Sequence, residues 1–238
     1  MGELNLLDQY PKARRDISSR KRGQAANRAA AKRYGREYFD GSREQGYGGY
    51  RYDGRWQPIA RRVIKNYGLK RGDRVLDIGC AKGYLVKDLC DACPGLEVIG
   101  VDVSAYALDH GHPDTKGKLL RASADALPFA DGSFDAVLCI NVIHNLDLDR
   151  CKNAIREIER LGCGKTYIQV DTYRNEAERE LFLDWVLTAV TFGTLDFWRN
   201  MFVSAGYTGD YYWTVIENDP KWAVTDEVNQ PNRQKENG

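Results

Sequence analysis

The chain has 238 residues, 42% of them hydrophobic and 11% aromatic, with a formal net charge of +1. That length suits one large domain or one with a modest extension, and the near-zero charge excludes a global field that would favour nucleic acid or membrane. No apolar run approaches the roughly 20 residues that span a bilayer and the first residues, MGELNLLDQYPKARRD, lack an apolar secretory region, so a soluble, cytoplasmic protein is expected.

Residues 1–36 read as a mobile or helical arm. Between Pro11 and Arg36 there are ten basic residues and one acid, Asp16. A solvated, partly helical face accounts for that bias, since QAANRAAAKRY favours helix; a phosphate-binding arm is the sharper alternative. Residues 46–56 read GYGGYRYDGRW and have neither strand nor helix period. From Pro58 to Tyr67, the apolar positions Ile59, Ala60, Val63 and Ile64 share a helical face.

Strand and helix patterns then alternate. RVLDIG (74–79), EVIGVDVS (97–104), KLLRASA (118–124), FDAVLCI (134–140) and KTYIQVD (165–171) read as strands. GYLVKDLCDA (83–92), AYALDHG, DRCKNAIREIERLG (149–162), EAERELFLDWVLTAVTF (176–192) and TLDFWRNMFVSAG (194–206) read as helices. Such alternation, with strands apolar on both faces, predicts a doubly covered parallel sheet. The run YYWTVIENDPKWAVTDE predicts an antiparallel hairpin at the sheet edge, turning at Asn218-Asp219-Pro220, and the polar tail from 229 to 238 is expected to be disordered. The chain therefore divides into a basic arm with a Gly/aromatic stretch (1–56), an alternating α/β domain (57–228) and a tail (229–238).

The chemistry concentrates in RVLDIGCAKGYLVKDL. Strand one ends at Asp77, Gly79 and Gly83 frame the turn, and the next helix offers unpaired N–H groups to a ligand. Strand two ends at Asp102, an acid placed to hold a ribose diol. Gly79, Cys80, Ala81, Lys82 and Gly83 do not supply the G-x-G-x-x-G of nicotinamide binders. The stretch instead resembles the first motif of class I S-adenosylmethionine-dependent methyltransferases, with Ala81 in place of the middle glycine. GVDVS (100–104) resembles the second motif, and SADALPFADGSFDAVLC (123–139) the third and fourth.

The resemblance covers roughly Trp56 to Tyr212. It implies a Rossmann-like, seven-stranded and mostly parallel sheet, helices on both faces and one antiparallel strand near the edge. It implies S-adenosyl-L-methionine as cofactor. Asp77, Gly79, Cys80, Ala81 and Gly83 would form its turn; Asp102 and Val103 would meet the ribose; Ala124 and Asp125 the adenine; Asn141 would lie at the next strand end. GYGGYRYDGRW would then be a lid, with Tyr47, Tyr50, Tyr52 and Trp56 excluding water and Arg51 or Arg55 facing the methionine carboxylate.

Acceptor chemistry belongs at the carboxyl ends of strands four and five. His144 is the candidate base because imidazole titrates near neutrality; Asp171 is placed to orient it or bind a substrate hydroxyl, and Tyr173 is a third candidate. Asp171 reads equally as a helix cap, although Asn175 is better placed for that. No metal site is assigned: Cys90 and Cys93 form a C-x-x-C with no second pair at suitable spacing. The aromatics of the last helices are expected to fill the core, with a few lining a substrate pocket. The expected activity is methylation of a small molecule, at the oxygen of a hydroxylated, possibly sugar-like metabolite. The alternatives are an RNA methyltransferase that uses residues 11–36, and a non-catalytic binder of the cofactor.

Overall fold

The computed structural model describes residues 1–11, 15, 17, 24–162 and 164–217. Cys163, the run through Asn218-Asp219-Pro220, the tail from 229, and Lys12, Arg14, Asp16, Arg20, Lys21 and Arg22 lie outside them.

Seven strands form one sheet in the order β1-β7-β6-β5-β2-β3-β4. In chain order they are β1 (Gly2–Glu3), β2 (Arg74–Ile78), β3 (Glu97–Asp102), β4 (Leu119–Arg121), β5 (Ala136–Ile140), β6 (Thr166–Thr172) and β7 (Asp210–Val215). The helices are α1 (Gln24–Ala31), α2 (Arg36–Asp40), α3 (Gln57–Tyr67), α4 (Tyr84–Ala92), α5 (Ala105–Asp109), α6 (Leu148–Gly162), α7 (Glu176–Trp185) and α8 (Leu195–Ala205). Short 3-10 turns lie at Pro113–Thr115 and Ile143–Asn145.

The central strands are buried because both sheet faces are covered. On one face, α6 and α8 bring Ile155, Ile158, Trp198 and Phe202 against Leu76, Ile168 and Val170. On the other, α3 and α4 bring Ile59, Val63, Leu85 and Leu89 against Val75, Val98 and Leu138. Phe182, Trp198 and Phe202 are therefore core residues, as their helical spacing predicts.

Among the described residues the expected antiparallel strand is not found. β7 pairs with β6 in parallel, from Tyr167↔Asp210 to Thr172↔Val215. The reason is topological: α8 carries the chain back across the sheet, and a helical crossover returns it in the same direction, whereas a tight hairpin would reverse it. All pairings between these strands are parallel.

The start of the chain also departs from a mobile arm. Gly2 and Glu3 pair with Asp210 and Tyr211 at the sheet edge, and Leu6 is fully buried in the core beneath α3. Two residues of strand carry no readable period, so this anchoring is invisible to local pattern.

Helix α7 stops at Trp185, short of the predicted Phe192. The chain beyond it is used elsewhere: the amides of Val190 and Thr191 donate to the His144 carbonyl at 2.8 and 3.0 Å, and Thr191 Oγ1 donates to Leu146 O at 2.8 Å. Asn175 caps α7, accepting the Glu178 amide at 3.0 Å, which leaves Asp171 for other work.

Candidate active site

The carboxyl ends of β2, β5, β6 and β7 open into one cavity of about 780 Å³. Asp77, Gly79, Cys80 and Ala81 line one end, with Asn141, His144 and Asp171 beside them. Residues Tyr38, Tyr47, Tyr50 and Trp56 wall it from the N-terminal side.

Asp77 is the most unusual group there. It is 4% exposed, yet no hydrogen bond reaches its carboxylate among the described residues. Buried polar side chains are nearly always paired. Burial, reinforced by the charge of Asp102, pushes its pKa up to about 7. A cationic group of a bound ligand would satisfy it. Next to it, Gly79 has φ +77°, and a Cβ would meet Val142 Cγ2 at 2.1 Å. Only glycine fits that turn, and the missing side chain brings the backbone up to the cavity. Gly83 starts α4 in the same left-handed region, at φ 74°.

Asp102 has both oxygens engaged, accepting the Ala81 amide on Oδ2 and the Ser104 amide on Oδ1, each at 2.8 Å. It thereby ties β3 to the glycine turn. Asp102, Val103, Ala124 and Asp125 stand at the ends of β3 and β4, outside the lining of this cavity. Asp125 is held by Arg150, with Nε to Oδ2 at 2.7 Å and Nη2 to Oδ1 at 3.0 Å. The segment around Tyr34 covers this side: Ser104 Oγ donates to Tyr34 O at 2.6 Å.

The GYGGYRYDGRW stretch is bolted to the glycine turn. Lys82, within the turn, donates to both Asp40 oxygens at 2.7 Å and to Tyr50 O at 3.1 Å. Tyr84 OH donates to Tyr50 O at 2.8 Å, and Tyr106 OH to Asp40 at 2.7 Å. The rings of Tyr50 and Tyr84 stack at 4.9 Å. Burial pushes the Asp40 carboxyl up, but the hydrogen bonds from Lys82 and Tyr106 outweigh it and hold it below its ordinary value. Lys82 carries no motif signal in the sequence, because its partner lies 42 positions away. Removing one partner of a largely buried pair strands the other's charge, so Lys82→Met should cost about 2 kcal/mol or more. Hydrogen exchange at residues 40–50 should rise with it; unchanged exchange would mean the aromatic packing alone holds this segment.

Arg55 reaches the cavity with Asp53 already on its guanidinium, Nε to Oδ1 and Oδ2 at 2.8 and 2.9 Å. Tyr173 is not in the lining; its ring packs 6.0 Å from Phe182 in a separate apolar cluster.

His144 is 2% exposed on its turn after β5. Its Nδ1 accepts the Asp171 amide at 3.3 Å, which leaves the neutral ring's proton on Nε2, 3.5 Å from Asp171 Oδ2. Burial lowers the His144 pKa against the pull of Asp171. Burial also raises that of Asp171, against His144 and Arg15. The two groups therefore approach each other in proton affinity and titrate as a pair.

A hydrogen-bond chain that sequence reading missed ends at the same place. Tyr167 OH donates to Gln169 Oε1 (2.7 Å), Gln169 Nε2 to Thr214 Oγ1 (2.8 Å), and Thr214 Oγ1 to Asn141 Oδ1 (3.0 Å). It fixes which way the Asn141 amide is turned, at a residue held at φ 58°. Only the parallel β6–β7 pairing sets Thr214 beside Asp171, so no local signal announces the chain.

Comparison with known proteins agrees with this architecture. Residues 76–168 match the family described as a methyltransferase domain. A malonyl-[acyl-carrier protein] O-methyltransferase of Legionella pneumophila is 35% identical over 75 residues, 30% of this chain and 26% of that protein. A demethylmenaquinone methyltransferase of Staphylococcus aureus is 38% identical over 82 residues, 32% of this chain and 34% of that protein. Among solved structures, a SAM-dependent methyltransferase from Archaeoglobus fulgidus superposes with a TM-score of 0.50 at 22% identity, covering 72% of each chain. A putative methyltransferase–Trm112 activator complex from Haloferax volcanii gives 0.51 at 25% identity, over 62% of this chain and 66% of that one. The match over residues 76–168 is to a methyltransferase domain, and the superpositions show a shared fold. The chain spans only 26% and 34% of the two curated relatives just named.

Proposed function

We infer that the protein transfers a methyl group from S-adenosylmethionine to a small molecule, at an oxygen atom, in the cytoplasm. The observation that carries this reading is Asp77: a buried carboxylate with no hydrogen bond among the described residues, beside the glycine turn, in a cavity that His144 and Asp171 also line.

The cofactor, when bound, supplies an electrophilic methyl. Asp77 would pair with its ammonium group, the Gly79–Ala81 backbone would lie along it, and Asp102, Val103, Ala124 and Asp125 would flank its nucleoside end. Tyr50 and Trp56 would exclude water. The His144–Asp171 pair would take the proton of a hydroxyl acceptor: Asp171 accepts, and His144, held neutral by burial, steadies the carboxylate through Nε2–H. A polar acceptor next to a pair of raised and lowered pKa fits general-base chemistry. The name of the Legionella relative specifies O-methylation, and that of the Staphylococcus relative specifies demethylmenaquinone. The partial coverage of both leaves the acceptor to be read from the cavity.

An RNA substrate finds less support. Within the basic segment, Arg28 bonds Leu183 O, so that side chain packs inward on α7. A relative of known structure works with an activator protein, which makes a protein partner a fair question for pull-down. The test of the main reading is label transfer from methyl-labelled cofactor into a metabolite extract. Label in small molecules, abolished by heat inactivation, supports it; label only in RNA would replace it, and cofactor binding without any transfer would leave a binding protein.

A further inference from the structure

Past the Asp77 end, the cavity runs toward the N-terminal segment, and there its wall is cationic. Arg15, Arg43 and Arg55 all line it. The guanidinium carbons of Arg15 and Arg43 lie 5.9 and 5.5 Å from the ring centroid of Trp185, itself 8% exposed. Arg55 lies 5.9 Å from the Tyr10 ring. Burial lowers the pKa of Arg15 and of Arg43, and for Arg43 the nearby charges of Arg15 and Arg55 add to that. An indole face attracts guanidinium, and Arg43 Nη1 also donates to Tyr47 O at 2.7 Å.

Apart from Asp77 at the far end, the acids of the cavity and its rim have partners. Asp53 serves Arg55, Asp8 pairs with Arg62, and Glu3 with Arg199. Asp171 lies 3.5 Å from His144, and Glu217 lies 3.4 Å from Arg174. Asp171 and Glu217 act on Arg15 electrostatically, yet no carboxylate among the described residues comes within 4 Å of its guanidinium.

We propose that this end of the cavity binds the methyl acceptor by an anionic group, a carboxylate or a phosphate carried on a small molecule, gripped by Arg15 and Arg43, which both lie against the Trp185 ring. A guanidinium offers a planar fork of donors that matches both oxyanions. Because Arg15 lines the same cavity as His144 and Asp171, an anion held there would keep the rest of the same molecule within that cavity. The cavity volume, about 780 Å³, falls in the range of small-molecule sites. The word acceptor rests on the methyltransferase reading above; the anion site rests on the arginines alone.

The test uses the full chain saturated with S-adenosylhomocysteine, titrated by calorimetry with inorganic phosphate and, separately, with succinate, at constant ionic strength against chloride. One of the two should bind with a dissociation constant of about 1–10 mM, and which one does so separates a phosphate from a carboxylate. Arg15→Gln and Arg43→Gln should each weaken it about tenfold, while Arg15→Lys should retain part of the binding. Affinity for S-adenosylhomocysteine should stay within about twofold in all three, which also shows that they fold. The proposal fails if neither anion binds better than chloride, or if both glutamine variants bind like the parent. It also fails if a short single-stranded RNA binds while both small anions do not. Anion binding without S-adenosylhomocysteine binding would sink the methyltransferase reading and leave the anion site standing.

Discussion

Asp77→Asn is expected to stabilise the ligand-free protein and, at the same time, to weaken cofactor binding. Burial, reinforced by the charge of Asp102, pushes the pKa of the folded Asp77 from the ordinary 3.8 up to about 7. Between those values the folded state keeps a proton that the unfolded chain has lost, so stability falls as pH rises through that window. Above pH 7 the whole cost of burying the charge is present. A three-unit shift corresponds to an upper bound of about 4 kcal/mol, and on the order of 2–3 kcal/mol is expected at pH 8 after relaxation of the site. For a chain of this size that is roughly 4–10 °C in melting temperature. The gain should shrink by more than half at pH 5, where the native carboxyl is already protonated. A melting temperature that falls at pH 8 would show that Asp77 has a partner it needs in the free protein.

The same substitution removes a buried acid at the glycine-turn end of the cavity that has no hydrogen bond among the described residues. A charged hydrogen bond is worth about 1.5–3 kcal/mol, so binding of S-adenosylmethionine should weaken roughly tenfold to a hundredfold. Stability and affinity moving in opposite directions is a signature that a core-packing residue would not give.

The second large effect is on turnover. Asp171→Asn should lower kcat by about 10²–10³, the usual contribution of a positioned general base, and leave cofactor affinity near its starting value. His144 is almost fully buried, so His144→Gln is the informative partner: it fills the space and keeps a donor toward Asp171, and should cost less. The pair must lose a proton to act, so kcat should rise with pH and then level. Burial lowers His144 and raises Asp171, which places both apparent steps closer together than free imidazole and carboxyl would be. A loss confined to KM would instead make Asp171 a substrate contact.

Much of this molecule is written locally. RVLDIGCAKG announces its strand, its turn and its helix because each needs particular residues at neighbouring positions, and the sheet follows from repeating that unit. What was hidden depends on partners distant in sequence. The parallel setting of β7 comes from the crossover through α8, not from any feature of YYWTV. Lys82 meets Asp40, and Thr214 meets Asn141, only after the chain has folded. The end of α7 at Trp185 is decided by the His144 carbonyl, which claims the amides of Val190 and Thr191. Arg15 reads as part of a basic, solvated stretch; its place on Trp185, beside Arg43, makes it part of a cavity wall.

The most direct measurement is the affinity of the full chain for S-adenosylmethionine between pH 6 and 8, for the parent and for Asp77→Asn. The account predicts that the parent binds, that its affinity increases as Asp77 ionises near pH 7, and that the variant binds more weakly with no such rise. An absence of binding in the parent, or equal affinity and pH response in both proteins, would contradict it.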